Sequence, residues 1–320
     1  MISQYRRDFD LLQPFAISRG ARSLAQVIEV NISRFGCIGR GESLPYVRYG
    51  DSFESVSDQI SQVPDTVTRA DLQNFLPAGA ARNAIDCAIW DLEAKAAKRP
   101  LWTLIGRHSP KPLRTAYTLS LDTPEMMRQM AIKNADRCIL KLKLGGVDDV
   151  VRLEAVRQGA PTTRLIVDAN EGWDIDVYQD LAPYLVRLGV EMVEQPLPAE
   201  SDDMLGEIAH HLPICADESC HDRSSLAQLR GKYDMVNIKL DKAGGLTEAL
   251  NLRDQAREMG FGVMVGCMVT SSLAIAPAVL LAQSADLVDL DAPLLLAQDR
   301  KHALKFNRTT ISPPTSELWG

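Results

Sequence analysis

The sequence predicts an α/β fold in which a parallel barrel follows a smaller α+β domain. Three observations carry this. The first is a series of polar clusters, each ending a short apolar, β-branched run: Lys141-Leu142-Lys143, Asp168-Ala169-Asn170, Glu194-Gln195-Pro196, Asp217-Glu218-Ser219, Asn237-Ile238-Lys239, Gly266 and Asp289-Leu290-Asp291. Successive clusters lie roughly 22 to 27 residues apart, the length of one strand-plus-helix unit of a parallel barrel. The second is a change of hydrophobic period within the first hundred residues, from alternating to helical. The third is length: 320 residues suit a barrel of roughly 250 with a smaller partner.

Composition bounds the function. An apolar fraction of 46% supports a sizeable core. A net charge of -7 argues against nonspecific nucleic-acid binding, which needs a basic surface. No stretch approaches the roughly 20 apolar residues of a membrane span; the richest, 269–282, is broken by Thr270, Ser271, Ser272 and Pro277. Met1 to Asp8 carries basic residues with no long apolar segment after them, so no secretory signal is expected. The cysteines (37, 87, 138, 215, 220, 267) show no CxxC spacing and sit in apolar runs, as free thiols of a cytoplasmic protein do.

Residues 1–112 read as strands followed by helices. Val27 to Ile32 alternates apolar and polar, which predicts an antiparallel strand with one wet face. Gly36, Gly39 and Gly41 mark a hairpin. Ser18 to Ser23 reads as a polar loop carrying Arg19 and Arg22, and Pro45 to Asp51 as an aromatic one. The clearest helix is Ala80 to Ala97, with Ala84, Ile85, Ala88, Ile89, Leu92 and Ala96 on one stripe and Pro100 beyond its end. Pro110-Lys111-Pro112 is the linker. From 113 to 296 strand and helix alternate. Thr123-Pro124-Glu125 supplies an N-cap, a first-turn Pro and a first-turn acid. Thr247-Glu248, after Gly244-Gly245, opens another helix, which ends at Gly260 before a strand from Phe261 to Val265. Residues 297–320 leave this pattern and are expected to return to the first domain.

Asp168, Glu194 and Asp217 end three successive strands. One acid at a strand end is usually solvated or capping; three in register predict a metal site. Held together, they cannot all stay ionised without a cation, and Asp217→Asn is expected to relieve repulsion. Hard oxygen ligands suit Mg2+. Period 2 places Lys141 and Lys143 on one inward face. Lys141 can hold a carboxylate or an anionic oxygen. Lys143 and Lys239 lie across the mouth from each other. Desolvation near a dication would lower their pKa and make them a proton-transfer pair. Asp289 and Asp291, two residues apart, point the same way and call for a cation, which a substrate ammonium would supply. The bland alternative pairs one acid with a lysine and leaves the other in water.

These motifs, with Leu76-Pro77-Ala78-Gly79-Ala80-Ala81-Arg82-Asn83 in the first domain, resemble the enolase superfamily in its muconate-lactonizing branch, and within it the L-Ala-D/L-Glu (dipeptide) epimerases. The resemblance spans nearly the whole chain. It implies a modified TIM barrel, (β/α)7β, under an α+β capping domain whose loops cover the mouth. It implies Mg2+ on Asp168, Glu194 and Asp217, acid/base roles for Lys143 and Lys239, and an enolate-neutralising role for Lys141. Asp289 and Asp291 would bind the substrate ammonium, and Arg19 or Arg22 a distal carboxylate. The implied reaction converts L-Ala-D-Glu to L-Ala-L-Glu by two-base 1,1-proton transfer, through an enediolate, at the α-carbon of the C-terminal residue. A cytoplasmic role in murein peptide salvage follows by resemblance, with no nucleic-acid or membrane partner; a homo-oligomer is compatible.

Other readings stay open. N-acylamino-acid racemases, o-succinylbenzoate synthases and muconate cycloisomerases share the metal and the lysines; Asp289 and Asp291 separate them from a dipeptide enzyme. A Schiff-base barrel lyase would use one lysine as nucleophile and leaves the acid triad unexplained. A noncatalytic barrel leaves the whole set unexplained, though fold alone never decides.

Overall fold

The computed structural model describes residues 1–146 and 148–320. The chain opens with three antiparallel strands, β1 (Ile2–Ile17), β2 (Gly20–Arg34) and β3 (Cys37–Ser43), in sequence order. Phe35 and Gly36 turn β2 into β3 with φ of 54° and 71°, a two-residue hairpin that matches strand twist. Gly39 and Gly41 are not turn residues. A Cβ on them would lie 2.1 Å from Ala88 O and 2.0 Å from Ala84 O, so glycine lets β3 lie directly on a helix.

That helix is α3 (Ala80–Ala97), which follows α1 (Phe53–Ser61) and α2 (Arg69–Phe75). Ser52 and Thr68 cap the first two by accepting from the backbone N–H of Ser55 and Asp71. α3 is buried on every side from Ala80 to Leu92, not on one stripe, and Ala96 is exposed. Its apolar face packs on β2, β3, α1 and α2, and its polar face, Arg82, Asn83 and Asp86, meets the barrel. The wet face expected for β2 is covered as well. Ile28, Val30 and Ile32 pack on the helices, while Val27 meets Leu44 and Met268, and Glu29 meets Arg300. A second domain on the far face converts a half-exposed strand into a central layer.

After β4 (Leu113–Arg114), eight parallel strands run in sequence order. They are β5 (Ala116–Leu119), β6 (Ile139–Lys143), β7 (Arg164–Asp168), β8 (Val190–Glu194), β9 (Ile214–Ala216), β10 (Met235–Ile238), β11 (Gly262–Gly266) and β12 (Leu287–Asp289). β12 returns to β5, where Leu290 N donates to Thr115 Oγ1 at 2.9 Å and Thr118 N to Asp291 Oδ2 at 2.6 Å, nearly closing a modified TIM barrel. Ile139, Ile166, Met192, Cys215, Met264 and Leu287 fill one interior layer. Two residues further along the same inward faces come Lys141, Asp168, Glu194, Asp217, Gly266 and Asp289. The strand period itself carries the polar set to the mouth.

Thr123 caps the first barrel helix (Pro124–Lys133), and helices Asp149–Gly159, Ile175–Arg187, Leu246–Glu258 and Ser272–Leu281 follow their strands. The alternation fails between β8 and β9. Pro196, Pro198 and Pro213 punctuate that segment, and it forms only two 3-10 turns, Ala199–Ser201 and Asp203–Glu207. β12 also stops short of expectation: Asp291 lies past its end and begins a 3-10 turn, Ala292–Leu295.

The last residues cross both parts. Arg300 pairs with Glu29 at 2.7 Å and Glu42 at 2.5 Å. β13 (Thr310–Ile311) pairs with β4, and Trp319 Nε1 donates to Cys87 O at 3.0 Å. All six cysteines are unpaired. Among the described residues no helix is long and apolar enough to cross a membrane.

Candidate active site

The mouth holds a cavity of about 430 Å3, roofed by the β1–β2 hairpin tip and the turn at Tyr46 to Tyr49, and floored by the strand ends. Each of Asp168, Glu194 and Asp217 offers a carboxylate oxygen within 4.8 Å of the other two, and all three are buried. They stand on adjacent strand ends: after a register shift between Leu165 and Val167, Asp168 pairs opposite Glu194, and Glu194 pairs opposite Cys215, two residues before Asp217.

Four ammonium groups enclose this triad. Lys141 Nζ lies 2.7 Å from Glu194 Oε2, 2.8 Å from Asp289 Oδ2 and 3.1 Å from Asp168 Oδ2. Lys143 Nζ donates to Asp168 Oδ2 at 2.6 Å, and Lys239 Nζ to Asp217 Oδ2 at 2.5 Å. Lys242 Nζ donates to Asp217 Oδ1 at 2.6 Å and to the backbone oxygens of Asp217 and Asn237. Asn237 Nδ2 donates to Glu194 Oε1 at 2.8 Å.

The expected repulsion is therefore answered by the protein's own cations. Burial opposes ionisation of Asp168, but Lys143 and Lys141 overcome it and hold its pKa at about 2. Burial opposes ionisation of Asp217 too, and Lys239 and Lys242 hold it well below the carboxylate range. Glu194 carries the strain: burial and then Asp168 push it up to about 7. Lys239 also departs from expectation among the protein's own charges. Burial pulls its pKa down, but Asp217 and Glu194 outweigh burial and raise it.

The triad fits a hard dication. It has three convergent oxygen donors on strand ends, and among the described residues Glu194 Oε2 receives no directed hydrogen bond, although Lys141 stands beside it. Lys143 and Lys239 flank the triad on β6 and just past β10, with the three acids between them.

Asp289 and Asp291 both line the cavity, and neither faces bulk water. Asp289 finds its cation in Lys141 and keeps Oδ1 without a hydrogen-bond partner among the described residues. Burial, then Asp289, push Asp291 up to about 7.

The two arginines part company. Ser18 and Arg19 form the hairpin turn, whereas Arg22 is on β2 opposite Phe15. Arg19 donates to Asn170 O at 2.7 Å and pairs with Glu171 at 2.8 Å and Glu218 at 2.7 Å. Arg22 lies over the Tyr46 ring at 5.1 Å, lines the cavity, and has no carboxylate partner among the described residues. Reading the sequence missed Arg48, which clamps Glu171 at 2.6 Å, and gave Glu218 no role. It also missed Lys242, whose signal was available: a lysine three residues after Lys239, ahead of Gly244-Gly245.

Comparison with known proteins agrees with this architecture. Residues 4–106 match the mandelate racemase / muconate lactonizing enzyme N-terminal domain, and residues 125–315 the enolase C-terminal domain-like family. An L-Ala-D/L-Glu epimerase of Escherichia coli (strain K12) is 47% identical over 95% of this chain and 97% of its own. An N-acetyl-D-glutamate racemase of a Pseudoalteromonas species is 45% identical over 88% of this chain and 91% of its own. A crystal structure from Agrobacterium tumefaciens, described as an enolase family member with homology to dipeptide epimerases and containing sodium and L-Ala-L-Glu, is 46% identical. It superposes with a TM-score of 0.98, covering 100% of this chain and 99% of that one. A dipeptide epimerase from Cytophaga hutchinsonii, complexed with Mg and D-Ala-L-Val, is 27% identical with a TM-score of 0.91, covering 98% and 92%. The chain thus belongs to the mandelate racemase and muconate lactonizing enzyme branch of the enolase superfamily, beside the L-Ala-D/L-Glu epimerases.

Proposed function

We propose that this chain epimerises dipeptides of the L-Ala-Glu type, by 1,1-proton transfer at the α-carbon of the C-terminal residue. The observation that carries this reading is the placement of Lys143 and Lys239, one against each outer member of the acid triad. A carbon held above the triad would present one face to each ammonium. One lysine, as the free amine, takes the α-proton, and the other, protonated, returns one to the opposite face. Asp168, Glu194 and Asp217 would hold Mg2+, which when bound supplies Lewis acidity toward the substrate carboxylate. Lys141, beside Glu194 and Asp289, adds fixed positive charge where negative charge grows as the proton leaves. Arg22 meets the distal carboxylate of Glu, since its guanidinium is not committed to a protein acid and Arg19's is. The orphaned Asp289 Oδ1 and the carboxyl of Asp291 receive the α-ammonium of the first residue.

A second reading has a specific basis. The 45% identical relative is named for N-acetyl-D-glutamate, which keeps both carboxylates and lacks the ammonium. L-Ala-L-Glu, L-Ala-D-Glu and both N-acetylglutamates, incubated in D2O with Mg2+, separate the readings through NMR of α-proton exchange. Exchange of both dipeptide diastereomers, abolished by a chelator, is expected. Exchange of the N-acetylglutamates alone would install the second reading, and exchange of none would remove both.

A further inference from the structure

The motif from Leu76 to Asn83 has no place in the chemistry described so far, yet its residues reach into the barrel at one point. Arg82, on α3, donates to Ala243 O at 2.8 Å and Gly244 O at 3.2 Å, the carbonyls that end the short helix Leu240–Ala243. Its other nitrogen donates to Gln73 O and Leu76 O. Asn83 Nδ2 donates to Asp241 Oδ1 at 3.1 Å, and the same oxygen accepts from Leu44 N at 2.9 Å. Asp86 accepts from Thr247 N at 2.9 Å and Thr247 Oγ1 at 2.6 Å, so it caps helix Leu246–Glu258, whose own N-cap, Gly245, has no side chain to do so. The fit is close. A Cβ on Gly244 would lie 2.4 Å from Arg82 Nε, and one on Gly245 2.5 Å from Asp86 Cβ, both at positive φ.

Lys239 is the N-cap residue of that short helix. One end of the helix is therefore a candidate base, and the helix body is bolted to the capping domain through Asp241 and through its terminal carbonyls. For the other base, no capping-domain side chain among the described residues hydrogen-bonds the strand that carries it. Lys143 ends β6; the capping domain approaches it with the Phe15 ring, 5.9 Å from Nζ, and with Ser18 and Arg19, which donate to Asn170 O on the neighbouring strand end and not to β6.

We infer that Asn83 and Asp241 are positioning residues for Lys239 alone, so that the capping domain sets the geometry of one base of the pair and not the other. The helix dictates why this acts at a distance. Lys239 and Asp241 are joined by one rigid turn, and a proton-transfer distance is unforgiving of small displacements. The inference rests on the two-base reading above.

The test is α-proton exchange in D2O with Mg2+, measured separately on L-Ala-L-Glu and L-Ala-D-Glu. The two-base reading requires exchange of both diastereomers by the unmodified protein, and exchange of neither removes it. Lys239→Ala then identifies the diastereomer that Lys239 deprotonates, as the one whose exchange is lost. In Asn83→Ala and Asp241→Ala that same exchange should slow by about tenfold or more, with the other within about twofold. Asp241→Asn keeps an oxygen for Leu44 N and Asn83 Nδ2 and should stay near the unmodified rates. Should Asn83→Ala or Asp241→Ala fail to fold, Asn83→Ser carries the same comparison. Equal slowing of both exchanges, or none, in a folded variant overturns the inference while leaving the two-base reading intact.

Discussion

Lys242 Nζ stands 2.6 Å from Asp217 Oδ1 while Lys239 Nζ stands 2.5 Å from Oδ2 of the same carboxylate, so one buried acid is held between two ammonium groups. Only Lys239 lines the cavity. Lys242, wholly buried, spends its remaining donors on backbone oxygens of Asp217 and Asn237. Its place is to fix Asp217 and balance its charge.

Lys242→Met should therefore destabilise the fold by about 3 kcal/mol or more, since breaking a buried pair strands the surviving charge. Asp217→Asn should also destabilise, contrary to the expectation of relieved repulsion, because it strands two ammonium groups instead of one carboxylate. Urea denaturation in chelator checks both. A stable Asp217→Asn protein would show that repulsion within the triad outweighs the lysines.

The arginines give a specificity prediction. Arg22→Met should raise KM for L-Ala-L-Glu by about tenfold or more, the loss of a charged hydrogen bond, with little change for L-Ala-L-Ala. Arg19→Met should lower kcat/KM for both substrates alike, because Arg19 ties the hairpin tip to Asn170, Glu171 and Glu218. Steady-state kinetics on the two dipeptides decides. The reverse pattern would exchange the roles.

Much of this site was legible because strand period and strand spacing are written locally. Lys141, Lys143, Asp168 and Glu194 lie on strands whose alternation forces them inward, and their convergence follows from barrel closure. What stayed hidden depends on contacts between distant segments. Nothing near Val27 announces that its face will meet Met268, and nothing near Arg82 announces the carbonyls of Ala243 and Gly244. The missing helix between β8 and β9 was written in Pro196, Pro198 and Pro213, but a regular repeat invites the eye to continue it. Arg19 and Arg22, three residues apart, were indistinguishable until the hairpin register separated turn from strand.

Asp86 supplies a pH prediction far from the mouth. Burial raises its pKa from 3.8 to about 6, against the pull of its hydrogen bonds from Thr247. An acid raised on folding binds its proton more tightly in the folded state. Its contribution to stability is therefore full below about pH 4, declines as pH rises toward 6, and is flat above. Two pKa units correspond to about 3 kcal/mol. Asp86→Asn should remove that slope, leaving a protein whose stability falls less between pH 4 and 6. Chemical denaturation of both proteins across that range is the measurement, and parallel curves would exclude Asp86 as the source.

The amino end of the substrate gives the last prediction. Lys141 already answers Asp289 at Oδ2, so the pair of acids does not by itself demand a second cation. What demands one is the remainder: Asp289 Oδ1, buried without a hydrogen-bond partner among the described residues, and Asp291, which accepts from Thr118 and which burial and then Asp289 push up to about 7. An arriving α-ammonium favours the ionised form of Asp291, so free dipeptides should bind with proton release below neutrality. KM for L-Ala-L-Glu should then rise as pH falls through about 7, while Asp291→Asn should flatten that dependence and weaken binding throughout. N-acetyl-L-Ala-L-Glu keeps every carboxylate and removes only the cation. Its kcat/KM should fall by a factor on the order of 10², the scale of losing one partner of a buried charged pair. If the acetylated and free dipeptides turn over alike, with the same pH profile, then Asp289 and Asp291 do not read an ammonium and the N-acetylglutamate reading takes precedence.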